Sequence, residues 1–224
     1  MRGVLVFDVD GVLVDVTDSY RETIIRTIEH FTSRRVTRDD IQQIKNLGGY
    51  NDDWALCKKV IQDFGCHPKY QEIVDHFQRI FLGENSDGLI LRERWVARDG
   101  LFEQLAKDWR LAIFTGRTRS ETRLTLDRFG AQAVFDPLIG NDDVENLKPA
   151  PDGLLKICAT FPGVEVVYVG DTVDDAKSAG RAGVGFIGVA PQQDSRRAEL
   201  VELFRQEGAR AVVDNINELE QVLK

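Results

Sequence analysis

Six short runs of apolar residues constrain the fold of this 224-residue chain more than any other feature of its sequence. They are rich in residues that favour β-strands, and helix-like patterns separate most of them. Nearly continuous apolar strands that alternate with helices are typical of a parallel sheet covered by helices on both faces. The sequence therefore predicts an α/β protein with a doubly wound parallel sheet, whose strands lie at 4–7, 111–114, 134–139, 166–169, 184–189 and 211–213.

A long interval separates the first predicted strand from the second. It contains about 100 residues, far more than a crossover between neighbouring parallel strands requires. Four helical patterns, at 19–31, 38–47, 52–64 and 68–81, occupy most of it. We therefore predict a core domain formed by 1–15 and 90–224, and an inserted α-helical domain formed by 16–89 that covers the strand ends as a lid.

Two carboxylates follow the first strand directly. Asp8 and Asp10 alternate along an extended segment and so point the same way, and Gly11 then permits a sharp turn. Two like charges about 4 Å apart repel by roughly 4 kcal/mol at an effective dielectric constant near 20. A fold keeps such a pair when a cation or a shared proton offsets the repulsion, which indicates metal-assisted chemistry.

Further polar residues are expected at the same edge of the sheet, because ligands bind beyond the carboxyl ends of parallel strands. The second strand ends in Thr115-Gly116-Arg117, and a later one in Gly170-Asp171-Thr172, with Asp175 one helical turn further on. Lys148 lies in a loop between these strands. Each motif alone is an ordinary turn or helix cap, but their joint occurrence at one edge favours a functional site.

Four motifs in order give the chain its resemblance to a known family. They are Asp8-Val-Asp-Gly-Val-Leu-Val-Asp15, Phe114-Thr-Gly-Arg117, Leu147-Lys-Pro149 and Val169-Gly-Asp-Thr-Val-Asp-Asp175. The chain resembles the haloacid dehalogenase-like superfamily of phosphatases, in the branch with a helical cap inserted after the first motif. The resemblance implies a Rossmann-like catalytic core, with the inserted domain as the cap.

The resemblance also implies catalytic roles. Asp8 is expected to be the nucleophile that forms an aspartyl-phosphate, and Asp10 the general acid and then the general base. Lys148 is expected to neutralise charge on Asp8 and on the transferring group. Thr115 and the backbone around Gly116 are expected to donate hydrogen bonds to the phosphoryl oxygens.

A Mg²⁺ cofactor is implied in the same way. Its expected ligands are Asp8, the backbone carbonyl of Asp10, and Asp171, with water completing the octahedron. Asp175 is expected to steady this set by hydrogen bonding.

Substrate contacts are less constrained by the sequence. Arg117 is a candidate, although a salt bridge on a helix surface is an equal alternative. Lys45 and Asn51 flank a Gly48-Gly49 turn in the predicted cap, and cap loops of this branch often set specificity. A solvated turn between helices is the alternative interpretation of this loop.

Composition limits the partners and the compartment. The formal net charge is −8, and no basic patch indicates nucleic-acid or membrane binding. The partner we expect is a small phosphorylated metabolite. Three scattered cysteines and an N-terminal apolar run interrupted by aspartates favour a cytoplasmic protein without a signal peptide.

Several reactions remain open at this point. The leading hypothesis is Mg²⁺-dependent hydrolysis of a small phosphate monoester, similar to that of phosphoglycolate phosphatases. Asp10 argues against a dehalogenase, and nothing marks a Schiff-base lysine for a phosphonate hydrolase. A phosphosugar mutase would keep both aspartates, and a non-catalytic module phosphorylated on Asp8 is the hypothesis from a different class. The sequence identifies neither the substrate nor the oligomeric state.

Overall fold

The computed structural model describes residues 2–85 and 87–223. The chain divides into two compact units, Met1–Val14 with Trp95–Lys224, and Asp15–Arg94. The described strands are β1 (Gly3–Phe7), β2 (Val14–Asp15), β3 (Arg94–Trp95), β4 (Trp109–Phe114), β5 (Leu138–Ile139), β6 (Glu165–Gly170), β7 (Gly185–Val189) and β8 (Ala211–Val213). The boundaries between the two units fall within β2 and β3, which pair with each other.

The first unit contains a six-stranded sheet in the order β5-β4-β1-β6-β7-β8. Every neighbouring pair in it is parallel. This order changes direction at β1, since the chain adds β4 and β5 on one side of it and β6 to β8 on the other. The predicted α/β fold with a doubly wound parallel sheet is therefore confirmed.

One predicted strand is much shorter than expected. The run at 134–139 forms a strand only at Leu138–Ile139. Pro137 has no N–H to donate to a ladder, so the backbone before it pairs irregularly with β4, through an N–H of Asp136 that donates to the carbonyl of Leu111 at 2.8 Å. Phe135 is nevertheless buried, which explains why this segment is apolar.

The central strand β1 is buried on both faces. Val4 and Val6 pack into one apolar cluster with residues of the surrounding helices. Phe7 points to the opposite face, where its ring centroid lies 5.9 Å from that of Phe102 and 5.8 Å from that of Phe135. Burial on both faces accounts for the unbroken apolar run in the sequence.

Helices of two kinds complete the chain. Those of the helical unit are α1 (Tyr20–Thr32), α2 (Arg38–Leu47), α3 (Asp53–Asp63) and α4 (Tyr70–Leu82), each within two residues of its predicted bounds. Those of the sheet unit are α5 (Leu101–Leu105), α6 (Arg119–Arg128), α7 (Asp152–Thr160), α8 (Val173–Ala182), α9 (Arg197–Gln206) and α10 (Leu219–Val222).

The helical unit has its own core. Tyr20 of α1 packs on two rings of α4, with centroids 5.6 Å from Phe77 and 4.1 Å from Phe81. Helix α2 begins at a capping box in which Thr37 and Asp40 satisfy each other's backbone N–H groups. A turn of 3-10 helix at Leu89–Arg92 follows α4, and the unit continues to Arg94.

Among residues 2–85 and 87–223, no helix combines the length and the apolar character needed to cross a bilayer.

Candidate active site

Three neighbouring strands end at the same edge of the sheet. Phe7 of β1 is in register with Ile113 of β4 and with Val169 of β6. The backbone N–H of Asp8 donates to the carbonyl of Val169 at 2.9 Å, which ties the end of β1 to the end of β6. The polar residues that leave these strand ends are Asp8, Thr115 and Asp171.

A buried lysine lies between two buried carboxylates at this edge. The Nζ atom of Lys148 is 3.2 Å from Oδ1 of Asp8 and 2.8 Å from Oδ1 of Asp175. The side chain of Lys148 is 1% exposed and that of Asp8 6%. Its ammonium also lies over the rings of Phe114 and Tyr168, at 4.8 and 5.2 Å from their centroids. The site therefore holds one cation fixed between two anions in an environment that excludes water.

Asp175 is fixed by several donors. Besides Lys148, it accepts a hydrogen bond from the hydroxyl of Tyr168 at 2.8 Å. The backbone N–H and the hydroxyl of Thr172 donate to its other oxygen at 3.0 and 2.6 Å. Thr172 is the N-cap of α8 and Asp175 its N3 residue, so this contact is a capping box. Asp175 therefore orients Lys148, and its own oxygens are already engaged.

Sequence reasoning missed Tyr168 and Thr172. Tyr168 stands within an apolar run, and this pattern predicts only a strand. The signal that could have found it is that a buried tyrosine hydroxyl needs a partner, here also the carbonyl of Phe114 at 2.9 Å. For Thr172, the Thr-x-x-Asp spacing at the start of a helix was available in the sequence.

Burial and charge set the proton affinities of this cluster. Burial raises the pKa of Asp8 from 3.8 to about 7; Lys148 opposes this rise, whereas Asp175 and Asp10 add to it. Burial would lower the pKa of Lys148, but the neighbouring carboxylates of Asp175 and Asp8 outweigh it and raise that pKa. Burial acts to raise the pKa of Asp175 as well, yet the charge and hydrogen bond of Lys148 lower it. The cluster therefore keeps Lys148 cationic and Asp175 ionised.

Three carboxylates could together hold a cation. Oxygen atoms of Asp8, Asp171 and Asp175 lie within 4.8 Å of one another. Because both oxygens of Asp175 accept hydrogen bonds from other groups, Asp8 and Asp171 are the better ligands of the three. Carboxylate oxygens are the donors that Mg²⁺ prefers, so the donor set fits a hard divalent cation.

Gly11 allows Asp171 to approach the first loop. Its φ of +71° lies in the left-handed region, and a Cβ atom there would stand 2.0 Å from Oδ2 of Asp171. A side chain at position 11 would therefore occupy the space of this carboxylate.

The loop after β4 presents Thr115 and Gly116. Thr115 is buried, and its hydroxyl oxygen accepts the backbone N–H of Arg117 at 3.3 Å, which leaves its own hydrogen available for another acceptor. Gly116 is half-buried within a bend. Their roles toward a phosphoryl group stay predictions.

The structure excludes one of the two sequence interpretations of Arg117, the salt bridge on a helix surface. Its side chain is neither directed at solvent nor part of a surface salt bridge, because only 1% of it is exposed. The guanidinium forms a buried ion pair with Asp10, in which Nε donates to the two carboxylate oxygens at 3.0 and 3.2 Å. The side chain of Arg117 therefore contacts another residue of the site, and substrate contact by Arg117 stays a prediction.

The cap candidates lie in the helical unit. The Nζ atom of Lys45 is 2.7 Å from Oδ1 of Asp53, at the start of α3. Asn51 is half-buried and precedes Asp52, whose carboxylate caps α3 through the N–H groups of Trp54 and Ala55. The ion pair of Lys45 shows that its charge has a partner within the unit, and substrate contact by either residue stays a prediction.

Fold and site together define a doubly wound α/β protein with a cluster of carboxylates and a buried lysine at the ends of its parallel strands. A family model described as haloacid dehalogenase-like hydrolase matches residues 5–189. The chain belongs to this family, as its four motifs predicted.

Two curated relatives are similar to this chain over most of its length. An imidazoleglycerol-phosphate dehydratase of Phytophthora nicotianae is 32% identical over 199 residues, which cover 84% of this chain. The chain spans only 43% of that relative's length. A phosphoglycolate phosphatase of Cereibacter sphaeroides is 28% identical over 190 residues and is matched over 83% of this chain and 84% of its own length.

A solved structure confirms the fold. It comes from a Thermotoga maritima protein provisionally named β-phosphoglucomutase, with a TM-score of 0.68 and 22% identity over 99% of this chain and 98% of that one. At this identity the likeness concerns the fold alone.

Proposed function

We propose that this chain is a metal-dependent phosphatase that hydrolyses the phosphate monoester of a small metabolite through an aspartyl-phosphate on Asp8. The observation that carries the proposal is the contact of Asp8 with the buried ammonium of Lys148 at 3.2 Å. A buried lysine favours an anion beside Asp8, and phosphoryl transfer needs mainly positioning and electrostatic stabilisation. The phosphatase named among the relatives, matched over most of both chains, supports the same reaction class.

In the first half-reaction, a carboxylate oxygen of Asp8 attacks phosphorus while the bond from phosphorus to the leaving oxygen breaks. Asp10 gives its proton to that leaving oxygen. Lys148 stabilises negative charge on the phosphoryl oxygens. The hydroxyl of Thr115 and the backbone near Gly116 donate hydrogen bonds to the same oxygens.

In the second half-reaction, a water molecule attacks the phosphorus of the aspartyl-phosphate. Asp10, now ionised, takes the proton of this water, and the bond between Asp8 and phosphorus breaks to release phosphate. Lys148 stays next to Asp8 throughout because Asp175 holds it from the other side at 2.8 Å. The enzyme returns to its starting protonation state.

A divalent cation, which we propose to be Mg²⁺, would be held by Asp8, Asp171 and the backbone carbonyl of Asp10. When bound, it would neutralise charge on the phosphoryl oxygens and on the two carboxylates. The close approach of Asp171 to Gly11 supports this ligand set, because the loop leaves room for a carboxylate where a Cβ would stand.

Gly11→Ala tests this part of the site. A Cβ at position 11 would displace the Asp171 carboxylate and strain the backbone, so we expect kcat/KM to fall about 100-fold and the unfolding free energy by about 2 kcal/mol. The Mg²⁺ concentration for half-maximal activity should rise. Gly130→Ala is the matched control, because Gly130 has a φ of +67° and nothing within 4 Å of a Cβ. Equal losses of activity in both variants would contradict the proposed role of Asp171.

A phosphosugar mutase is the second candidate. The fold is shared with a protein provisionally named as such a mutase, and a mutase would use Asp8 and Asp10 in the same way while transferring the phosphoryl group back to a sugar. The two reactions differ in whether water or a sugar hydroxyl takes the phosphoryl group from Asp8.

The helical unit is proposed to be the cap that encloses the substrate, with Lys45 and Asn51 as contacts to its leaving group. Cap movement of this kind gates many active sites. A small substrate suits an enclosed site, and the net charge of −8 gives no support to binding nucleic acid or membranes. The cytoplasmic location stays a prediction.

The decisive experiment measures phosphate release from p-nitrophenyl phosphate and a panel of phosphorylated metabolites, with Mg²⁺ or with EDTA. The panel includes phosphoglycolate and imidazoleglycerol phosphate, which the names of two relatives mention. It also includes β-glucose 1-phosphate, assayed with β-glucose 1,6-bisphosphate present. We expect metal-dependent release that is lost in Asp8→Asn and retained in Asp127→Asn, an exposed aspartate of α6.

The outcomes separate the candidates. Isomerisation of β-glucose 1-phosphate without phosphate release would favour the mutase. A folded protein that becomes phosphorylated on Asp8 but turns over no substrate would favour a signalling module. Activity that is undiminished in Asp8→Asn would overturn the aspartyl-phosphate mechanism.

A further inference from the structure

We propose that Arg117 is a positioning residue that fixes the direction of the Asp10 carboxylate for proton transfer to the leaving oxygen. This inference rests on the proposed function, in which Asp10 is the general acid and base. It arises from a contact that neither sequence interpretation of Arg117 anticipated.

Two nitrogen atoms of the Arg117 guanidinium donate to the carboxylate of Asp10. Nε of Arg117 donates to Oδ1 and Oδ2 of Asp10 at 3.0 and 3.2 Å, and Nη2 also donates to Oδ1. The remaining terminal nitrogen, Nη1, donates to the hydroxyl oxygen of Thr125 at 2.7 Å. The planar guanidinium therefore joins Asp10 at one end to helix α6 at the other.

Burial makes this contact different from a surface ion pair. The Arg117 side chain is 1% exposed and that of Asp10 28%, and Thr125 is fully buried. Exposed ion pairs contribute little, because both side chains move freely in solvent. A buried guanidinium with a planar fork has one low-energy arrangement against a carboxylate, so it fixes the orientation of both groups.

The backbone of Arg117 is held as well. Its N–H donates to the hydroxyl oxygen of Thr115 at 3.3 Å, and its carbonyl accepts the N–H of Asn141 at 2.8 Å. The loop that presents Thr115 to the site therefore also supplies the support for Asp10. The partly exposed carboxylate of Asp10 is thereby anchored from the protein side.

This geometry has a specific kinetic consequence. An alkoxide leaving group needs the proton of Asp10 as its bond to phosphorus breaks, whereas p-nitrophenolate is stable enough to leave without one. A misdirected Asp10 should therefore lower kcat/KM, which reports formation of the aspartyl-phosphate, much more for alkyl phosphates than for p-nitrophenyl phosphate. The later hydrolysis of the aspartyl-phosphate is common to both substrates and does not enter kcat/KM. A residue that only stabilised the fold would slow both substrates equally.

The test compares Arg117→Gln and Arg117→Lys with wild type on p-nitrophenyl phosphate and on the best alkyl phosphate of the panel. For Arg117→Gln we expect kcat/KM to fall about 100-fold on the alkyl phosphate and less than about 10-fold on p-nitrophenyl phosphate. Arg117→Lys should recover part of the loss, since it restores the charge but not the fork.

Two further variants complete the design. Arg119→Gln is the matched control, because Arg119 lies two positions after Arg117, at the start of α6, but pairs with Asp143 at 2.8 Å. It should show no preference between the substrates. In an Asp10→Asn background, Arg117→Gln should cause no additional loss. Should Arg117→Gln fail to fold, Thr125→Val loosens the same guanidinium, with an expected loss of about 5-fold on the alkyl phosphate only.

Equal losses of kcat/KM on both substrates in Arg117→Gln, or in Thr125→Val, would overturn the positioning role. The proposed function fails in a distinguishable way: Asp10→Asn itself would then lower kcat/KM equally on both substrates.

Discussion

Lys148→Met is expected to remove nearly all activity and a large part of the stability. The ammonium of Lys148 is the cation between Asp8 and Asp175. Without it, two carboxylates remain buried at the site, and breaking a buried pair in this way costs about 3–5 kcal/mol in unfolding free energy. Loss of the charge that faces the phosphoryl group should lower kcat/KM about 1,000-fold. Urea unfolding and steady-state kinetics measure the two effects.

A double variant separates stability from activity. Lys148→Met with Asp175→Asn removes the ammonium and the nearer of its two carboxylates, so we expect it to recover part of the lost unfolding free energy while it stays inactive. Lys107→Met is the matched control, because Lys107 is an exposed lysine and should behave as wild type. A Lys148→Met protein that unfolds like wild type would show that the buried pair has no structural role.

Asp8→Asn is expected to have opposite effects on activity and stability. It removes the proposed nucleophile, so turnover should fall at least about 10,000-fold. In the metal-free protein at pH 8, however, the variant should be more stable than wild type by about 2 kcal/mol. The reason is that wild-type folding must bury an ionised Asp8, whereas asparagine carries no charge.

The higher stability expected of Asp8→Asn at pH 8 follows from the raised pKa of Asp8 in the wild type. Its value is about 7 in the folded protein against 3.8 ordinarily, so between these values the folded state holds a proton that the unfolded chain has released. The contribution of Asp8 to the unfolding free energy of the wild type therefore falls as pH rises from about 4 to about 7. The full shift corresponds to about 4 kcal/mol. The stability advantage of Asp8→Asn over wild type is smaller than this value, because Lys148 loses a charged partner in the variant.

Thermal unfolding of metal-free protein at pH 4.5, 6 and 8 measures this prediction. The difference between variant and wild type should grow with pH, and addition of Mg²⁺ should narrow it by stabilising wild type alone. A difference that is independent of pH would contradict it. Asp127→Asn should match wild type at every pH.

The sequence predicted much of the sheet and part of the site, for a physical reason. Strands β1 and β6 are buried on both faces, so their apolar runs stand out, and the first polar residue after each run marks the strand end. Asp8 and Asp171 could be located in this way. At β5 the same reasoning failed, because Phe135 is apolar for burial outside a regular strand and Pro137 breaks the ladder.

The contacts among the site residues were not readable from spacing. Asp10 and Arg117 are separated by 107 positions, and nothing in either segment indicates that one side chain lies buried against the other. Lys148 was found through its motif, but its second partner Asp175 and the hydroxyl of Tyr168 depend on how α8 packs beside β6. Such pairings are set by tertiary packing, which a single sequence does not display.

The central place of β1 has a consequence for how the polypeptide folds as it leaves the ribosome. Gly3 pairs with Trp109 of β4 on one side and with Glu165 of β6 on the other. Both partner strands of β1 are therefore synthesised much later than β1 itself. Meanwhile α1 and α4 of the intervening unit can pack on each other. β1 completes its pairing only after β6 is synthesised, which implies slow, late closure of the sheet. The contacts that join Asp8 through Lys148 to Asp175 therefore form only at that stage.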